Sequence, residues 1–97
     1  MDPVLAVHGM RRANRIKRKH PHLWELGEAT AREDFLFLRA KGGNPKRVAI
    51  ESMARFQAAQ CGIHFSDEQE AFCRAFARQW AKERVSFERA GEAAQLP

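Results

Sequence analysis

Between Asp67 and about Ala90, large apolar side chains recur at helical spacing. Phe72, Cys73, Phe76, Trp80 and Phe87 fall within about a third of a helix circumference. A helix carrying such a stripe must lay it against other elements, because fully burying one side chain of this size stabilises by about 1.5–3 kcal/mol. In a chain of 97 residues, that requirement means one modest core in one domain. Ser66-Asp67-Glu68-Gln69 reads as a capping box at the start of the segment, and its acids suit the positive end of the helix dipole. Ile63 and Phe65 precede it and Gly91 follows it, which predicts a helix over 67–90.

The elements that must cover the stripe are read from the punctuation upstream. Gly42-Gly43-Asn44-Pro45 closes one helix with a left-handed glycine and opens another with Asn as cap and Pro at the first position. The second of these helices spans 45–61 and ends at Gly62. At about 100° per residue, Val48, Ala49, Ser52, Met53, Phe56 and Ala59 share one face. Arg47, Glu51 and Arg55 form a ladder on the opposite face, and Ile50 lies off the main stripe. Further back, Thr30-Ala31-Arg32-Glu33 is a second capping box. Phe35-Leu36-Phe37-Leu38 is apolar on all sides and by itself suits a buried strand. Its Ala, Arg, Glu and Lys flanks favour a helix over 29–41. Leu23, Trp24 and Leu26 form a short cluster ending at Gly27, and His20-Pro21-His22 breaks the chain before them. Asp2-Pro3 suits a helix start, so residues 3–19 read as a frayed helix or an arm that orders on binding.

The expected fold is all-α: a small single-domain bundle of three principal helices plus an N-terminal helix or arm. The expected core is Phe35, Leu38, Val48, Met53, Phe56, Phe72, Phe76, Trp80 and Phe87. Residues 1–22 form the basic segment, 23–92 the helical domain and 93–97 a flexible tail. A bundle with aromatic faces can complete its burial as a homodimer.

The charge is distributed unevenly. Residues 11–19 hold six of the seventeen Lys and Arg residues and no acid. The formal net charge is +5, and without those six the remaining eleven cations face twelve acids. A local cationic block on a nearly neutral chain is suited to a polyanion, and nucleic acid is the commonest. Arg11, Arg12, Arg15, Lys17, Arg18 and Lys19 would neutralise phosphates, with Asn14 available to hydrogen-bond bases. On the last helix Arg74, Arg78 and Lys82 follow at i,i+4,i+8, opposite the aromatic stripe, as a second candidate nucleic-acid-binding ridge that would follow a phosphate backbone, and Arg89 returns to the same side. Val85 interrupts this ridge, and Glu88 and Glu92 border it, as on an ordinary solvated face.

Other chemistries find little footing. A helix-turn-helix at Gly42-Gly43-Asn44 would show Glu51 to the phosphates, and one at Gly62 would show Asp67, Glu68 and Glu70. Cys61 and His64 have a zinc-like gap, but Cys73 is the nearest further ligand and a fourth must come from His8, His20 or His22. There is no Gly-rich phosphate loop or nucleophile elbow, and Cys61 beside His64 lacks an orienting third group, so neither an enzyme nor a cofactor is expected. Two cysteines are too few for a secreted disulfide framework, and Val4-Leu5-Ala6-Val7 is too short for a signal-peptide core. No stretch approaches the roughly 20 apolar residues of a membrane span, so the reading is a cytoplasmic protein that avoids membranes.

The expectation is a non-enzymatic regulator or accessory factor, of phage or plasmid style, that binds DNA or RNA. The alternative is a helical adaptor or inhibitor that targets a larger host protein or nucleoprotein complex. For that alternative, damaging substitutions are expected at Trp24, Trp80 or other exposed aromatics.

Overall fold

The computed structural model describes residues 3–95 and the side chains of residues 11–91. Four α-helices follow one another: α1 (Pro3–Lys19), α2 (Pro21–Ala40), α3 (Ile50–Gln60) and α4 (Ser66–Gln95), with a single 3-10 turn at Pro45–Arg47. The protein is all-α, as the patterning predicts. The long α4 is the spine, and α2, α3 and α1 all pack on it.

The aromatic stripe of α4 forms the core. Phe72, Phe76 and Trp80 are fully buried, with ring centroids 6.3 and 5.9 Å apart along the helix. Phe35 of α2 meets Trp80 edge-on at 5.0 Å and 70°, an arrangement that suits the ring quadrupoles. Ala31, Ala54, Ala58 and Ile63 complete the cluster, with Leu38, Val48 and Met53 packed at its edge.

Three helices differ from their expected bounds. α2 is one continuous helix of 20 residues, where a start near residue 29 is expected. The break at His20-Pro21-His22 shrinks to His20, which donates its N–H to Ile16 and accepts from the N–H of Trp24. Thr30 does not cap: its hydroxyl donates back to the Leu26 carbonyl at 2.7 Å, inside the helix. Gly27 does not end the helix either. It is where α2 approaches α4 most closely, since a Cβ there would stand 2.4 Å from the Phe72 carbonyl oxygen. The glycine reads as a stop in sequence and serves as a crossing point in space.

α4 begins at Ser66 itself, the expected cap, because the Phe65 carbonyl already accepts the Gln69 N–H at 2.8 Å. It also runs through Gly91 to Gln95, beyond the expected end at 90 and into the expected tail from residue 93. A lone glycine costs a helix about 1 kcal/mol relative to alanine, too little to stop one flanked by good helix formers. Residues 96–97 of that tail lie outside the described residues.

The segment after Gly43 needs the largest correction. Gly42 and Gly62 do close helices at φ +75°. The N–H of Gly43 reaches the Leu38 carbonyl and that of Ile63 the Ala58 carbonyl, both in Schellman geometry. Asn44 Oδ1 accepts the Lys46 N–H, but the helix it starts is only the 3-10 turn, and Val48 is extended. α3 starts at Ile50, and its inner face is Ala54 and Ala58 with Ile50, Met53 and Gln57 beside them. Phe56, expected in the core, is 61% exposed. It lies two residues, or about 200°, from Ala54, and the alanines are what let α3 approach α4. Phe87 is likewise at the edge, against Phe35 at 6.2 Å and under the Arg39 guanidinium at 4.9 Å.

Candidate nucleic-acid interface

The basic block forms the last half of α1. Its anchor is Ile16, the one buried side chain among residues 11–19. Helical spacing then turns the rest outward. Arg11, Asn14, Arg15 and Arg18 form the exposed crest, while Arg12 and Lys19 lie on one flank and Lys17 on the other. Arg11, Arg12, Arg15, Arg18 and Lys19 line a shared open recess along α1.

The two flanks meet different parts of α4. Arg12 forks onto Glu70, with Nε 3.0 Å from one carboxylate oxygen and Nη2 3.1 Å from the other. Lys19 Nζ donates to Asp67 at 3.3 Å. Glu70 also accepts from Arg74 Nε at 3.1 Å, so Arg74 closes an Arg12–Glu70–Arg74 triad. The Arg12 hydrogen bonds hold the Glu70 carboxyl below the usual carboxylate range; its partial burial opposes them, and Arg74 adds a weaker pull downward. Cations on this flank therefore already have carboxylate partners.

On the other flank Lys17 stands over the ring of the buried Trp24, Nζ 5.7 Å from its centroid. Lys17, Trp24, Glu28, Ala75, Arg78, Gln79 and Lys82 line a common pocket, which brings part of the block together with part of the α4 ridge. Arg78 and Lys82 then continue with Val85 and Arg89 along a strip of α4. Glu88, expected to border this ridge, instead faces Arg84 at 3.8 Å and Lys46 at 3.6 Å. The side chain of Glu92 lies outside the described residues.

Sequence reasoning missed Ile16 as the anchor and Asp67 and Glu70 as partners of the block. Those acids carry the ordinary signature of a helix N-terminus, and only the crossing of α1 over α4 reveals their second role. Trp24 was also misplaced: it is 3% exposed and Trp80 is fully buried, so neither is an exposed partner anchor.

Among the described residues, no three His, Cys, Asp or Glu side chains converge on a metal-holding group. Cys61 is exposed at the end of α3. Cys73 is half-buried on the stripe, where burial pushes its thiol pKa up. The side chain of His8 lies outside the described residues. No described helix is long and apolar enough to cross a membrane. Fold and surface together define a small all-α protein whose α1 presents a basic crest. No protein-family model matches the chain, and neither a curated protein nor a solved structure does.

Proposed function

We propose that the protein is a non-enzymatic nucleic-acid-binding regulator or accessory factor of the cytoplasm, using α1 on phosphates. The observation that carries this reading is the crest of α1. Arg11, Arg15 and Arg18 are exposed on one side of an already formed helix, and among the described residues none is ion-paired. Three unpaired guanidiniums in a row neutralise phosphates and release counterions without first surrendering an internal partner.

The test is a fluorescence-anisotropy titration of the intact protein against DNA and RNA at several salt concentrations. Affinity is expected to fall steeply with salt. R11Q/R15Q/R18Q should flatten the log–log slope by about 2.7, since each phosphate contact adds about 0.9. Binding that ignores this triple replacement would sink the reading.

One observation favours the adaptor reading. Leu36, Phe37, Phe56 and Phe65 are all more than 60% exposed, apolar surface that a protein partner would cover. If a protein or a second copy is the partner, F37A, F56A or F65A should weaken the complex, and the α1 charges should chiefly change association rate.

A further inference from the structure

We propose that Lys17, Arg78 and Lys82 form a second phosphate-backbone subsite, which carries a double-helical nucleic acid from the α1 crest onto the C-terminal half of α4. The inference rests on the reading of α1 as a nucleic-acid surface and extends it.

The two flanks of α1 are electrostatically unequal. Toward the start of α4, Asp67 and Glu70 pair with Lys19 and Arg12, and an incoming phosphate there must compete with a carboxylate in place. Toward the end of α4, three cations line the pocket beside Trp24 with one acid, Glu28. Glu83, next to Lys82 in the chain, accepts the side-chain amide of Gln79 at 2.9 Å. Lys17, Arg78 and Lys82 are each exposed, and among the described residues none is ion-paired. A phosphate chain leaving the crest thus meets matched charge on one flank and occupied charge on the other.

The strip does not end at the pocket, because Arg78 and Lys82 also border Val85 and Arg89 further along α4. Residues 11–19 extend about 12 Å along α1, and residues 78–89 about 16 Å along α4.

The side chains also indicate the class of nucleic acid. Proteins that hold single strands combine a basic path with aromatic rings on which bases stack. Along this path the aromatic ring is Trp24, which is buried and faced by Lys17. The exposed rings of Phe37, Phe56 and Phe65 belong to other segments, and Phe87, 38% exposed on α4, lies on the opposite side of that helix from Arg78 and Lys82, against Phe35. Charge without a stacking platform suits a backbone whose bases are already paired and stacked.

The experiment measures anisotropy of the full chain with a 16-base-pair DNA duplex, the matching RNA duplex and one DNA strand alone, across a salt series. The wild type is expected to bind one or both duplexes at least tenfold more tightly than the single strand. K17Q/R78Q/K82Q should flatten the duplex slope by about 2.7, while K17R/R78K/K82R should keep it. Circular dichroism melts of both variants report whether each is folded at the titration temperature. A folded Gln variant with wild-type affinity and slope would overturn the subsite while leaving the α1 reading intact. Preference for the single strand would overturn the duplex assignment. Failure of the wild type to bind any of the three would end both readings.

Discussion

Where α2 crosses α4, the contact is dry and shaped: Phe35 against Trp80, alanines beside them, and Gly27 against the Phe72 backbone. Where α1 crosses the same helix, the contact is Ile16 with ion pairs on one side, while on the other side Lys17 stands over Trp24 of α2. The first seam is held by volume and close approach, which respond little to salt or pH. The second depends partly on charge, which responds to both. Ile16 is the one buried side chain among residues 11–19, so the rest of that segment is free to present a cationic crest, and α1 should be the first helix to open.

The comparison can be broken most forcefully at the dry seam. Trp80→Ala should cost about 3–5 kcal/mol and unfold the whole protein in one transition, read by urea denaturation. Trp80→Phe should cost much less, because the buried Nε1 has no partner among the described residues and Phe removes that unsatisfied donor. Equal losses for the two variants would show that the indole N–H is satisfied after all.

Next in size is a pair of glycines expected to respond with opposite sign. Gly27→Ala should destabilise by about 1–3 kcal/mol, because its Cβ has no room against the Phe72 carbonyl. Gly91→Ala, with nothing within 4 Å of the added carbon, should stabilise by about 0.5–1 kcal/mol through helix propensity alone. A thermal melt of each variant decides whether Gly27 is a crossing point or only a weak spot in a helix.

The charged seam is sharpened by Ile16→Ala, expected to cost about 1–2 kcal/mol, less than a central core truncation. Its signature is local: amide exchange should accelerate in α1 while α2 and α4 keep their protection. Acid should act on the same seam. Glu70 has a lower pKa folded than unfolded, so its contribution is full above the ordinary carboxylate range and disappears as pH falls through the depressed value. Exchange in α1 should therefore rise in acid before the core melts, and Glu70→Gln should remove most of that pH dependence.

The smallest effect is expected at Asp34, which accepts from Gln57 Nε2 at 2.9 Å between α2 and α3. Burial raises its pKa despite that hydrogen bond, so its sign is opposite to that of Glu70: ionisation above the ordinary carboxylate range works against the fold. Asp34→Asn keeps an acceptor for Gln57 and removes the charge, so neutral-pH stability should rise by no more than about 0.5 kcal/mol. A large loss in a melt at neutral pH would mean that the carboxylate is needed as a charge.

Some of this was legible in single residues and some was not. The stripe of Phe72, Phe76 and Trp80 announced both the longest helix and the core, because 3.6-residue periodicity is a local property. Gly42 and Gly62 announced their helix ends, because a left-handed cap needs only its own turn. Thr30 and Gly27 misled for the same reason: a hydroxyl caps or back-bonds, and a glycine stops a helix or admits a neighbour, according to what lies across the interface. Phe56 misled because the expected face relied on Val48 and Ala49, which lie outside the helix, and packing against α4 turns the small Ala54 and Ala58 inward instead.

The amino-acid sequence by itself determined that this protein is a helical domain with an aromatic core and a cationic block at residues 11–19. Periodicity, capping and net charge all act within a few residues of their cause. Only the tertiary structure decided which cations of that block are spoken for. Arg12 and Glu70 are 58 residues apart in the chain and 3.0 Å apart in space. Whether a charge is free or paired depends on distance, and distance between remote segments is set by how helices cross.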